Sequence, residues 1–345
     1  MKLKNIFYRD LGFFLFFILS TSLYMHAVHI PMDIYALTTK YCPIDDLLLC
    51  YLPDIHNYSL NLVLFKKSLK LLWAETFKVN GGSSGHILFY WPSSFSNVME
   101  YSIILNSLIF GFLTSRISFV LKNLVYIKCL FYLMIVPFAI FYSIGPTKEP
   151  LIFFVLSILF LPIFKNVNKF TYVILFLCRP YLSFIIFYIK LFKSYIFDFL
   201  ILAFVIFSLP AIQSHIYDLK ALAAPAVKLS RVIDNLRFES YIFGFLGYFS
   251  FGLKVFFEPL IYFFKVGIVG FGNILMDINL IILLIFIRNI FVIKITSFFT
   301  QNKNLIRFLA LNSLVVFSYP IVQFRYISLA LLVFNLQCLI VTHEK

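Results

Sequence analysis

Apolar runs of about twenty residues recur from one end of this chain to the other, and few architectures tolerate that pattern. Wound as an α-helix, a run of that length matches the ~30 Å hydrocarbon core of a bilayer. Apolar segments of 14 to 20 residues cover 11–28, 97–113, 130–143, 150–164, 172–191, 195–212, 242–257, 274–292, 305–321 and 326–341. A membrane barrel would instead show strands of about ten residues with alternating hydropathy, and that alternation is absent. Composition points the same way. Of 345 residues 62% are hydrophobic and 13% charged, with a mean hydropathy of +0.95, whereas soluble domains average about 45–50% apolar and about 25% charged. The expected fold class is all-α: a polytopic integral membrane helical bundle of about ten transmembrane spans, forming a single transmembrane domain over 1–345.

One long stretch resists burial in lipid. Residues 29–100 hold six of the fifteen acids (Asp33, Asp45, Asp46, Asp54, Glu75, Glu100), both tryptophans and the Gly81-Gly82 pair. Residues 1–10 are short and basic, and the first apolar run ends at His26 to His29 and Pro31 rather than at a small-residue cleavage site. The expectation is an uncleaved first span with a cytoplasmic N-terminus, so that 29–100 is an extracytoplasmic loop covering a polar site. Within it, 59–77 carries apolar residues at helical spacing (Leu62, Phe65, Leu69, Leu72, Trp73) with Lys66, Lys67 and Lys70 on another face. That pattern suits an amphipathic helix lying in the interface or packed on the bundle. Residues 213–241 form a second polar loop.

The formal charge of +14 follows from lysines and arginines gathered in short turns, as the positive-inside rule requires of a membrane protein. Nucleic acid is therefore not an expected partner. Cys129, Cys178 and Cys338 sit singly in apolar segments and read as small hydrophobes. Cys42 and Cys50 share the first loop and could pair if it lies outside the cytoplasm. No phosphate-cradling loop, zinc signature or serine-nucleophile elbow occurs, so no metal and no cofactor are expected.

Candidate chemistry rests on polar residues at span ends. Asp33, just past the first span, suits a general base or a helix cap. Lys148 and Glu149 lie in SIGPTKEPL between two apolar spans, where an acid in a first helical turn also favours the helix dipole. Arg179 is followed by Pro180 inside an apolar segment, so the segment is either one bent span or two short re-entrant helices. A membrane arginine usually faces a bundle interior or a water-filled cavity, and its fork suits a pyrophosphate. Arg325 and Tyr326 open the last span as phosphate ligands or interfacial anchors. Arg231 and Arg237, beside Asp234 and Glu239, form either a solvated helical face or part of a site. His86 is a candidate for binding sugar or for proton transfer.

The order of these pieces resembles the GT-C superfamily of membrane glycosyltransferases. PMDIY places Asp33 where those enzymes carry an early loop acid. SSGHILFYW, around His86, is similar to their His-Pro-Pro-Leu stretch without its prolines, SIGPTKEPL to their external turn before the fourth span, and FSYPIVQFRYISLAL to their late Arg-Tyr segment. The Gly145–Glu149 turn and Arg179-Pro180 look most like the O-antigen polymerases of bacterial surface-glycan clusters. The resemblance implies an inner-membrane enzyme that joins undecaprenyl-pyrophosphate-linked repeat units. Asp33 or Glu149 would then be catalytic. Lys148, Arg179, Arg325, Tyr326, His86, Arg231 and Arg237 would bind substrate. The implied partners are a polyprenyl-(pyro)phosphate-linked glycan, membrane lipid and a chain-length regulator protein. A GT-C enzyme adding single sugars and a lipid-linked glycan flippase remain the alternatives.

Overall fold

A computed structural model describes residues 2–28, 85–95, 97–121, 125–164, 169–201, 256–267, 274–292, 302–317 and 325–341, with scattered positions of the first loop such as Ile55, Tyr58 and Leu62. Among these residues every regular element is helical. In chain order they are α1 (Lys2–Ala27), α2 (Ile87–Tyr90), a 3₁₀ turn (Trp91–Phe95), α3 (Val98–Val120), α4 (Val125–Tyr142), α5 (Glu149–Phe160), α6 (Phe170–Cys178), α7 (Pro180–Leu191), α8 (Glu258–Val266), α9 (Ile274–Val292), α10 (Lys303–Phe317) and α11 (Arg325–Val341).

Three helices among the described residues are long and apolar enough to cross a membrane: Phe7–Ala27, Val98–Val120 and Val125–Tyr142. The outward face of α1 shows what surrounds it. Leu11, Leu15, Leu19 and Leu23, each four residues after the last, are all exposed, the last two by 63% and 69%. Phe17, Thr21, Tyr24 and Met25 on the other face are buried. In water an amphipathic helix turns its apolar stripe inward. An apolar stripe this exposed belongs against lipid.

The helices align through contacts at both ends. Asp10 pairs with Arg116 at 3.1 Å and Arg9 donates to Ser115 at 3.0 Å, while Phe17 and Phe110 pack with ring centroids 6.2 Å apart. These contacts make α1 and α3 antiparallel. Ser118 bonds Tyr132 at 2.7 Å, and farther along Phe110 meets Phe138, so α4 runs back against α3. Phe110 also stacks on Phe153 at 5.9 Å, and Phe112 on Phe164 beyond the end of α5, which sets α5 parallel to α3. At the centre stands α11, whose residues from Ile327 to Ile340 are all buried. A helix apolar all round needs neighbours all round. Its Asn335 donates to the Ile282 carbonyl at 2.9 Å and accepts from Asn289 at 3.1 Å, the kind of amide bond that fixes helix pairs away from water.

One segment departs from the length expected of it, and in another the structure decides between two alternatives. The run at 150–164 was expected to span, but α5 has 12 residues, about 18 Å at 1.5 Å per residue. Leu161 is extended (φ −82°, ψ 132°) because it precedes Pro162, and the residue before a proline is pushed out of the helical region. The run at 172–191 is two helices of 9 and 12 residues that fold back on each other. Ser183 donates to the Tyr172 carbonyl at 3.3 Å, Lys190 bonds the Tyr172 hydroxyl, and Phe176 meets Phe184. In one continuous helix Tyr172 and Lys190 would lie about 27 Å apart. The segment is therefore a helical hairpin with Arg179 at its apex.

Charge separates along the bundle. Arg9, Asp10 and Arg116 share one end with the feet of the hairpin and the start of α10. There Arg307 holds Asp198 with both arms at 2.6 and 2.7 Å and donates to the Ile189 carbonyl. Arg288 lies over Tyr126 at this end too. Glu149 and Arg179 occupy the other end. Asp33, Arg231, Arg237, Cys42, Cys50 and most of the 59–77 segment lie outside the described residues.

Candidate functional site

The candidate site forms where the turn between α4 and α5 sinks into the bundle. Asn106 sits eight residues into α3, about 12 Å along its axis, and the turn comes down to meet it. From Ser143 to Thr147 every residue is buried. Buried backbone needs hydrogen-bond partners, and side chains from two other elements supply them. Asn106 donates to the Gly145 carbonyl at 2.9 Å and to that of Tyr142 at 3.5 Å. The Thr147 hydroxyl donates to the Tyr142 carbonyl at 2.9 Å. Tyr90, from α2, directs its hydroxyl at Asn106 Oδ1 (2.6 Å) and the Thr147 carbonyl (2.8 Å). His86 Nε2 lies 3.2 Å from the Pro146 carbonyl.

Two glycines permit this compactness. A Cβ on Gly145 would strike Ile55 of the first loop, and one on Gly85 would come within 2.8 Å of the Leu177 carbonyl near the end of α6. Ile55 thus lies against the turn, while the segment carrying His86 presses on the hairpin.

Arg179 enters from that hairpin. Pro180 takes the helix start and forces its predecessor out of helical geometry, so Arg179 is extended (φ −153°, ψ 94°) between α6 and α7. Its guanidinium, 4% exposed, reaches Glu149 at 3.5 Å and Tyr181 at 3.3 Å. Glu149 opens α5 and Lys148 immediately precedes it. The N-termini of α5 and α7 thus both stand beside Arg179, and each helix start carries partial positive charge. Burial, then the charge of Lys148, hold His86 well below the usual imidazole range, with Arg179 adding to the fall and the Pro146 bond opposing it.

Four residues singled out from the sequence, His86, Lys148, Glu149 and Arg179, therefore meet in one cluster although they come from three separate stretches. Arg325 and Tyr326 open α11 at its end away from Asn302, which bonds Gln337 at 2.6 Å. Tyr90, Asn106, Thr147 and Tyr181 were not anticipated. Asn106 had a signal, an amide inside an apolar run; Tyr90 had none among 21 tyrosines. Chemically the cluster combines two cations, two helix starts, one carboxylate and one neutral imidazole, a set suited to an anion with polar substituents. No protein-family model, curated protein or solved structure matches this chain.

Proposed function

We propose that this chain is a membrane glycosyltransferase of bacterial surface-polysaccharide assembly, joining undecaprenyl-pyrophosphate-linked repeat units. The observation that carries the reading is the meeting of Arg179, Lys148, Glu149 and His86 at one buried place among helices that face lipid. A lipid-linked donor needs that combination, with its tail in hydrocarbon and its phosphates held by fixed cations.

In this reading the positive-inside rule puts the Arg9, Arg116 and Arg307 end in the cytoplasm and the cluster toward the outer face. Arg179 binds the pyrophosphate with its fork, supported by Lys148 and the starts of α5 and α7. The hydroxyl of an incoming unit attacks the anomeric carbon of the growing chain. The bond from that carbon to the pyrophosphate oxygen breaks, and the oxygen leaves with the electron pair. Fixed positive charge stabilises it as charge develops. The hydroxyl proton goes to Glu149 or Asp33. Arg179 holds Glu149, and a pyrophosphate that takes over the guanidinium releases the carboxylate for that task.

The test is the length profile of surface glycan in a strain lacking the chain, complemented with wild type, Arg179→Ala or Arg179→Lys. Ladders restored by wild type, with single-repeat glycan from both well-expressed variants, are expected. Normal ladders in the uncomplemented strain would overturn the reading, and loss of all exported glycan would favour translocation instead.

A further inference from the structure

The hydrogen bond of His86 fixes more than its position. A carbonyl oxygen only accepts, so the 3.2 Å contact with Pro146 requires Nε2 to carry the proton. A neutral imidazole with its proton on Nε2 leaves a lone pair on Nδ1. That atom is fully buried and finds no hydrogen-bond partner among the described residues. Tyr58 stands edge-on to the ring at 4.6 Å and Tyr90 at 6.4 Å. Lys148 and Arg179 are the charged groups that act on it. An unmatched acceptor in a buried place is costly unless a donor arrives.

We propose that Nδ1 of His86 accepts a hydrogen bond from a hydroxyl of the bound ligand, so that the cluster recognises a sugar beside a phosphate rather than a phosphate alone. The inference rests on the function proposed above and adds the atom that distinguishes a glycosylated carrier from a bare one. Lys148 and Arg179 are donors only, and the helix starts offer N–H groups, so each of these addresses the phosphates. An acceptor beside them complements the other half of such a ligand. A site that reads a hydroxyl with a buried partner discriminates strongly against a ligand lacking it, because the partner is then stranded.

The full chain, purified in detergent, would be titrated with farnesyl pyrophosphate and with its glucosyl, galactosyl and N-acetylglucosaminyl adducts. In His86→Gln the side-chain amide nitrogen keeps a donor for Pro146 while the Nδ1 acceptor disappears. The expected result is that His86→Gln binds farnesyl pyrophosphate within about twofold of wild type and the preferred adduct about tenfold more weakly. Equal binding of that adduct by both proteins would overturn the inference, as would a wild type that binds farnesyl pyrophosphate and none of the adducts. A wild type that binds no pyrophosphate at all would defeat the proposed function itself. If His86→Gln does not fold, ¹⁵N spectra of histidine-labelled wild type decide the matter. An unprotonated Nδ1 whose resonance moves with an adduct and not with farnesyl pyrophosphate is expected, whereas a protonated or unmoved Nδ1 would overturn it.

Discussion

Asn106 is the residue on which the site's architecture depends most. Its amide nitrogen serves two carbonyls of the buried turn and its oxygen accepts from Tyr90. Asn106→Leu preserves volume but strands these groups, each costing about 1–3 kcal/mol when buried. The thermal unfolding midpoint in detergent is expected to fall by several degrees, and an unchanged midpoint would show that the turn holds without it. His86 gives stability a pH dependence of definite sign. Its folded value is depressed, so below the ordinary value near 6.5 the unfolded chain takes up a proton that the folded chain refuses. The contribution is whole above that pH and is lost as pH falls below it. His86→Gln is expected to flatten this acid-side slope of the unfolding midpoint, and a slope identical to wild type would remove His86 as its source. At this scale the sequence was informative where a charge interrupted an apolar run, as at Arg179, while Asn106, an amide inside such a run, was passed over. Tyr90 was silent because its role comes from which carbonyls sink beside it.

Among the elements, the hairpin of α6 and α7 has the clearest consequence. At about 14 and 18 Å neither helix crosses a ~30 Å core, so both feet return to the end they left. Lys169 and Lys193 are exposed at those feet. Cysteines replacing them should react with a membrane-impermeant maleimide from the same side, tested in intact cells against inverted vesicles. Labelling from opposite sides would sink the re-entrant arrangement. Arg179-Pro180 marked the break in the sequence, because proline chemistry is local. The proline left a bent span and a folded-back pair both open, and the bonds from Ser183 and Lys190 to Tyr172 that decide between them belong to tertiary structure. The same contrast explains α5. Its start at Glu149-Pro150 could be anticipated from the dipole and the proline, but hydropathy continued past Phe160 where Pro162 ended the helix.

For the whole molecule, the membrane character was plain from recurrent apolar runs, and the exposed leucine stripe of α1 agrees with it. How the helices neighbour one another was not, because runs of Phe, Ile and Leu look alike from every side. Only the structure sets α1 against α3, or ties α10 through Arg307 to the Ile189 carbonyl of α7 and to Asp198 just beyond it. That ion pair is almost wholly enclosed on the arginine side, 2% exposed against 18% for the aspartate. Asp198→Asn leaves a buried guanidinium without its counter-charge, a change of the kind that costs about 3–5 kcal/mol. Reduced yield and a lower unfolding midpoint are expected, with the double replacement Asp198→Leu and Arg307→Met recovering part of the loss. No recovery would mean that the pair does more than tie two helices together.

The enclosed position of α11 also sets a condition on biosynthesis. The helix that fills the middle is the last of the described elements to be made, about 300 residues after α1. At about 5–20 residues per second, roughly 15–60 s separate the two during translation. Throughout that interval the earlier helices wait in the membrane around a place not yet filled. The lipid or the insertion machinery must occupy the gap, and Asn289, made late in that interval, still lacks Asn335. Ribosome stalling or premature termination before residue 325 should therefore leave the earlier helices without this packing partner, a state that quality-control proteases recognise.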